Sequence, residues 1–491
     1  MGMKPTPFGT QIPYEEKNLK IVGTNPTVRP DAVDKVTGKA RYAADINLPG
    51  QLIGKVLRSP HAHARIKSID TTKAAKLTGV KAIVTSADFS DMPVLHAAAG
   101  EIMVNFRDVT RTFMAREKVL FDGHPVAAVA AISESVAKAA LKLIKVDYEV
   151  LPHVIDVVEA MQPDAPLLDE EQFTKGIDPA PEKPSNIAAQ LKSVLGDVTE
   201  GFSQADLVIE REFHTKAVHQ GYIEPQSSIA NYTDGGDAEV WTGTQGHFLI
   251  RALLSKVLEM DVSRVKVTPA ELGGGFGGKN SIYLEPLAVM LSKKSGRPVK
   301  LTMTRGEVFR ATGPTSGTNI IIKIGVTKEG KITAAHATLN YQSGCFPGSS
   351  LPLCTPTVFT RYDIPNVLVI GNDVVCNRPK VAAYRAPGAP MIAFGVETVI
   401  DEIAEELNLD KIDIRLLNAA KEGTQTHFGP KLGPIGYIET LEAAKVHSHM
   451  KVPLGPNQGR GIATGFWNTL GMETSATLNI NQDGTASFIY G

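Results

Sequence analysis

The sequence predicts an α+β protein of several domains, and three observations carry that expectation. Through Val150, short β-rich runs alternate with a single amphipathic helix. A stretch crowded with prolines and acids, "MQPDAPLLDEEQFTKGIDPAPEKPSN", then interrupts every apolar period. Beyond it, strand, glycine-rich loop, helix and strand follow one another around "ELGGGFGGKN". A chain of 491 residues with 43% hydrophobic and 21% charged residues has enough apolar mass to bury more than one core.

In chain order, "QLIGKVLRS", "VKAIVTS" and "HPVAAVAAI" read as strands. "SESVAKAALKLIK" reads as a helix, with Val136, Ala140, Leu143 and Ile144 on one face. These form a first unit, residues 1–160. Residues 161–190 read as an exposed linker, since their composition offers no face to bury. A second unit, 191–440, opens with strands "LVIEREFH" and "AEVWTGT". The helix "HFLIRALLSKVLEM" follows, with Ile250, Leu253, Leu254, Val257 and Leu258 along one side, and then strand "RVKVTP". After the glycine loop come helix "SIYLEPLAVMLSKKSG" and strand "PVKLTMT". A later helix carries Ile392, Val396, Val399, Ile400, Ile403 and Leu407 as its apolar stripe, which leaves Asp401, Glu402, Glu405 and Glu406 as a solvated face. The remainder, 441–491, ends in two β-type runs joined by a Gln482-Asp483-Gly484 turn. Two strands do not make a stable domain alone, so that hairpin is expected to complete the preceding domain or to continue on another polypeptide.

The glycine loop matches two phosphate-binding spacings and completes neither. Gly273, Gly278 and Lys279 fit a P-loop, but Asn280 stands where a hydroxyl should reach Mg²⁺. Gly273, Gly275 and Gly278 fit G-x-G-x-x-G, yet "TPAEL" separates strand from glycine, and Thr304 and Arg305 occupy the place of the ribose-binding carboxylate. What remains is backbone that something can approach closely, with amides at the start of a helix to donate and Phe276 as a flat apolar wall. A nucleotide-binding module using Gly273 to Lys279 is one reading, and a scaffold without catalysis is another.

With Lys and Arg numbering 51 against 52 Asp and Glu, no global field attracts nucleic acid. No signal-peptide core and no apolar run of spanning length occurs, so no membrane span and a cytoplasmic location are expected. Cys345, Cys354 and Cys376 are too few and wrongly spaced for a disulfide framework, zinc or iron–sulfur, and read as buried thiols. His61 and His63 lack an evident third ligand and read as structural. Glu224 reads as a buried acid accepting backbone hydrogen bonds, with support of a pocket as its alternative.

Several blocks, taken together and in order, resemble the molybdenum hydroxylases: xanthine dehydrogenase, aldehyde oxidoreductase and 4-hydroxybenzoyl-CoA reductase. "RPDAVDKVTGKARYAADINLPGQLIGKVLRSPHAHARIKSID" resembles the family's N-terminal α/β hammerhead domain. "GYIEPQ", "WTGTQGHFLIR", "GGGFGGK", "RYDIPNV" and "AYRAPGAPMIAFGVETVIDEIAEELNLDKIDIRLLNA" resemble its first, mixed α/β molybdopterin-binding domain, and the block beginning "GRGIATGF" resembles the start of a second. By this resemblance Gln245 faces the cofactor with its amide. Gly275, Phe276 and Gly277 pass beside it with their backbone, and Arg385 and Ala386 face it from the other side. No protein side chain is implied as a metal ligand, because the pterin holds the molybdenum. The implied cofactor is molybdopterin, in its cytosine dinucleotide form. The implied reaction is hydroxylation with water, or its reductive reverse, on an aromatic, N-heterocyclic, aldehyde or thioester substrate.

Departures from the family refine this. Purine-oxidising members carry a glutamate and an arginine where this chain has Asn280 and Leu353, and Ala386 stands where the carbon-monoxide branch has a cysteine. The family's base, a C-terminal glutamate, has no counterpart here, so no catalytic residue is assigned in this chain. The chain is expected to be either a truncated product or the first half of a split subunit, the second with a partner polypeptide carrying the C-terminal half, and a 2Fe-2S subunit and an FAD subunit are expected to receive electrons.

Overall fold

A computed structural model describes residue 29 and residues 31–99, 102–468 and 475–490. The signal-peptide reading of the N-terminus falls outside these residues, as does the middle of the last resembling block. The fold is α+β, as the sequence implies.

Two sheets organise it. The larger has seven strands in the spatial order Val265–Pro269, Ala238–Thr242, Ser227–Tyr232, Val299–Thr302, Leu52–Arg58, Pro125–Ala131, Val80–Thr85. Pro125–Ala131 is buried at every position, which explains its unbroken "PVAAVAA": small apolar side chains suit a strand covered on both faces. Alternate residues serve two cores. Ala127 and Val129 pack with Ala140 of helix Glu134–Leu143, whose Ser133 side chain caps its N-terminus. Ala128 and Ala130 join the core formed by Leu287 and Leu291 of helix Glu285–Ser295. Of the face expected for the first of these helices, Ala140 is buried, Val136 and Leu143 are half-buried, and Ile144 is buried just past the end as the C-cap, while Ala137, not singled out, is buried beside Ala140.

The sheet also runs through the expected domain division. Leu52, Ile53 and Gly54 pair in parallel with Val299, Lys300 and Leu301, so strands from 1–160 and from 191–440 form one hydrogen-bonded surface. Residues 161–190, read as an exposed linker, are mostly exposed or half-buried but are anchored at two points. Leu168 and Asn186 are buried, and the Asn186 carboxamide accepts from the Leu168 amide and donates to the carbonyls of Ala160 and Pro166. One buried side chain satisfies three backbone groups and pins a segment that has almost no regular structure.

The second sheet has the order Leu207–Thr215, Thr318–Val326, Ile332–Gly344, Val367–Val375, Ile187–Leu195. Helix Ala389–Glu406 lays Ile392, Val396, Val399, Ile400 and Ile403 against it, and Gly395 is the point of closest approach to Phe213 and Ile322. A ladder of amides crosses this sheet: Gln190 donates to Asn372, Asn372 to Asn340, and Asn340 to Asn319, at 2.7 to 3.0 Å. The acids on the helix are less free than expected, because Asp401 bonds Arg415 and Lys411 while Glu402 pairs with Arg211. The hairpin Ala476–Ile480 and Ala486–Tyr490 forms as predicted. Among the described residues, no helix is long and apolar enough to cross a membrane.

Candidate functional site

The glycine loop does not open a helix. Helix Glu285–Ser295 begins six residues after Lys279, and residues 273–279 instead wrap the buried ring of Tyr222. A Cβ on Gly274 would lie 3.0 Å from the Tyr222 Cβ, and one on Gly278 would lie 2.9 Å from its ring edge, so these glycines are set by contact with the ring. The Lys279 ammonium sits 4.8 Å from the centre of the same ring.

Glu224 closes the loop. One carboxylate oxygen accepts from the Gly273 amide at 2.8 Å and from Lys279 Nζ at 2.7 Å, joining the two ends of the turn. The backbone-accepting role read for Glu224 is present, together with an ion pair that the sequence did not announce. Both partners are shielded, with side chains 1% and 9% exposed for Lys279 and Glu224. Burial pushes the lysine below its usual range, and the carboxylate opposes that shift. An ammonium so committed is not free to grip phosphate, which removes the central element of the nucleotide-cradle reading.

Gln245 meets this loop through its carbonyl oxygen, which accepts from the amides of Gly277 at 2.8 Å and Lys279 at 3.3 Å. That fixes which way the carboxamide faces and leaves its NH₂ to donate outward. The Gly277 amide is thereby spent on Gln245. The amides of Gly274, Gly275 and Phe276 meet no acceptor among the described residues. Gly275 admits Gln245 because a Cβ there would fall 2.4 Å from its oxygen. Phe276 has a left-handed backbone (φ 53°), is 45% exposed and stacks on Tyr384 with ring centres 6.5 Å apart.

The "AYRAPG" segment arrives from the other side. Arg385 donates its amide to the Phe276 carbonyl at 3.0 Å, and Gln220 donates to the Ala383 carbonyl at 2.8 Å. Gly277 (φ 98°) packs so tightly that a Cβ would come within 2.6 Å of the Ala383 carbonyl oxygen. Ala386 takes a left-handed backbone (φ 61°), and Tyr341 holds the Gly388 carbonyl at 2.8 Å. The Arg385 side chain is exposed and bonds no described residue. All six residues singled out from the sequence, Gln245, Gly275, Phe276, Gly277, Arg385 and Ala386, are thus brought into one neighbourhood. Tyr222, Gln220 and Ala383 were missed, although Tyr222 and Glu224 share the short block "GYIEPQ" and both meet the glycine loop.

Gln245, Gly277 and Asn280 line one wall of a cleft of about 1760 Å³, and Arg107, Asp108 and Arg111 from the N-terminal unit line the other. Leu353, 48% exposed, stands on the short helix Leu351–Cys354 beneath Gly388. The three cysteines are buried, as read, and burial pushes each thiol up to about 12. His63 is held by the Pro152 carbonyl at 2.7 Å, a structural bond. The site therefore offers donors, an aromatic face and a cation, but no clustered metal ligands among the described residues. Such a donor set fits a group that brings its own ligands to its metal and needs its oxygens and ring atoms held.

Comparison with known proteins gives the same assignment. Residues 37–152 match the a/b hammerhead domain of aldehyde oxidase and xanthine dehydrogenase, and residues 180–419 match the molybdopterin cofactor-binding domain. A probable xanthine dehydrogenase component of Bacillus subtilis is 32% identical over 404 residues, covering 82% of this chain and 51% of its own. The nicotinate dehydrogenase large molybdopterin subunit of Eubacterium barkeri is 30% identical over 438 residues, covering 87% of this chain and 96% of its own. The crystal structure of aldehyde oxidoreductase from Desulfovibrio desulfuricans superimposes with a TM-score of 0.80 at 26% identity, over 94% of this chain and 52% of that one. The chain thus spans about half of two of these proteins and nearly all of the third.

Proposed function

Because the chain belongs to the molybdenum hydroxylase family, we propose that it is the molybdopterin-binding subunit, or the N-terminal half of one, of a heteromeric oxidoreductase. The reaction is hydroxylation with water, or reductive dehydroxylation, of an aromatic, N-heterocyclic, aldehyde or thioester substrate. The observation that carries this reading is the meeting of three segments: Gln245 bonds the glycine loop at Gly277, the loop's Gly274 to Phe276 amides are unpaired among the described residues, and the Arg385 amide bonds the Phe276 carbonyl, with Gln245 and Gly277 lining the cleft.

When bound, molybdopterin supplies the two-electron chemistry and oxygen transfer. The chain's residues bind and orient. The Gln245 NH₂ donates without adding charge, the loop amides donate to electron-rich atoms, and Phe276 offers its ring face. Arg385 supplies a positive charge that is permanent at any physiological pH. The cytosine dinucleotide form is the one we expect.

Glu224 is unsuited to act as base, because its carboxylate is committed to Gly273 and Lys279. No residue of this chain is assigned as the base; the family's C-terminal region is its proposed source, and a general base is worth ~10²–10⁴ in rate. The relative in Eubacterium barkeri, named a large molybdopterin subunit of nicotinate dehydrogenase, supports a division of the subunit between two polypeptides. Iron–sulfur and FAD subunits are the proposed electron acceptors. Asn280 and Leu353 in place of charged purine contacts favour a less polar substrate than xanthine.

The test is elemental and pterin analysis of the complex purified with its co-expressed neighbours, followed by dye-linked oxidation of a panel of N-heterocycles and aldehydes. Molybdenum and pterin are expected; an active complex lacking both would refute the assignment. Calorimetry with ATP should show no binding.

A further inference from the structure

We propose that Glu224 is a positioning residue for the cofactor site, acting through Lys279 and the glycine loop on Gln245. The proposal rests on the reading that the site holds a pterin. A glutamine carboxamide can turn either edge outward with little difference in shape, so something must decide which edge faces the cleft. Here the decision is made by the amides of Gly277 and Lys279, which both donate to the carbonyl oxygen and leave the NH₂ outward. Those amides are in turn fixed because the two ends of their loop share one oxygen of Glu224. The backbone adds a second tie, with the Glu224 amide donating to the Gly273 carbonyl at 3.2 Å.

Charge makes this clamp more than a packing contact. Lys279 is almost fully buried and its only carboxylate partner among the described residues is Glu224. Neutralising Glu224 leaves an ammonium with an aromatic face and no counter-ion, which favours its escape toward water and the unwinding of the loop it closes. The second Glu224 oxygen is buried without a hydrogen-bond partner, so the carboxylate gives up part of its own bonding capacity to hold this geometry.

The experiment compares E224Q, K279M, Q245A and the E224Q/Q245A double variant in the complex copurified with its partner subunits. Three properties are read: pterin content, hydrogen–deuterium exchange of residues 271–281, and the electron paramagnetic resonance signal after dithionite treatment. E224Q and K279M should keep their pterin, exchange about tenfold faster in the loop, and give the altered signal of Q245A. Adding Q245A to E224Q should change that signal no further, as required when one residue acts through another. A wild-type signal in E224Q at full pterin content would overturn the proposal, and so would a double variant that sums two separate changes. Loss of pterin in both E224Q and K279M would reduce the pair to a folding contact and also overturn it. A wild-type complex without pterin would instead sink the functional reading itself, which distinguishes the two failures.

Discussion

The amide of Arg385 donates to the carbonyl of Phe276 at 3.0 Å, so two loops far apart in sequence meet backbone to backbone. Each has a non-glycine residue in the left-handed region, Phe276 at φ 53° and Ala386 at φ 61°. Such backbone is sparsely populated and persists where surrounding contacts over-determine it. The geometry of the site is therefore a property of the contact between the loops.

Gly277→Ala should break that contact. The new Cβ would meet a backbone oxygen at 2.6 Å, in a conformation that L side chains rarely adopt. The variant should retain its circular dichroism spectrum while its pterin content falls severalfold. Wild-type pterin content would show that the two loops need not touch.

Arg385→Ala should separate stability from function. An exposed side chain without a protein partner contributes within about 0.5 kcal/mol to folding. On the role proposed for it, loss of this cation should lower turnover by ~10²–10³. Urea unfolding and dye-linked assays of the same preparation measure both.

Arg415→Met should be costly for the fold. Arg415 is fully buried and bonds Glu397 at 2.9 Å and Asp401 at 2.8 Å, while Glu397 also takes Arg361, Tyr362 and the Thr464 amide. Removing Arg415 leaves Asp401 and the buried Glu397 each short of one ionic partner, and the expected loss is ~3–5 kcal/mol. A lowered urea midpoint at unchanged slope would be the signature; an unchanged midpoint would contradict it.

Acid should destabilise the N-terminal unit before carboxylates titrate. His124 accepts the Leu120 amide on Nδ1 and donates to the Arg111 carbonyl from Nε2, and burial lowers it from 6.5 to about 4. A proton on Nδ1 would face another N–H. The unfolded chain therefore binds a proton that the folded chain refuses between these values. The stabilisation is complete above about pH 6.5 and erodes as pH falls toward 4, by up to ~1.4 kcal/mol per pH unit. Melting temperature followed over that range should fall less steeply in His124→Gln.

The sequence made the locally written elements legible and hid those written across distance. "PVAAVAA" and "HFLIRALLSKV" announce themselves because burial sets their composition residue by residue. Strands Thr318–Val326, Ile332–Gly344 and Val367–Val375 have no counterpart in the sequence reading, and their buried Asn319, Asn340 and Asn372 show why. Amides that satisfy one another across a sheet occupy positions where an apolar period would otherwise show. At the site, the resemblance singled out the six residues that the fold brings into one neighbourhood, and the glycine spacing suggested a phosphate loop. That Lys279 would be spent on Glu224 was invisible, because a carboxylate and an ammonium more than fifty residues apart carry no mutual signal until the fold joins them.

The parallel pairing of Leu52–Gly54 with Val299–Leu301 has a bearing on synthesis. A nascent chain exposes the first unit long before residue 299 leaves the ribosome, and until then one edge of strand Leu52–Arg58 lacks its neighbour. The N-terminal unit must wait with unpaired backbone, vulnerable to chance strand pairing with other chains. A gene cut between the two family domains would make that waiting state permanent in both products. Chaperone dependence during production, relieved when residues through Thr302 are kept on one polypeptide, is the cellular face of a sheet shared between domains.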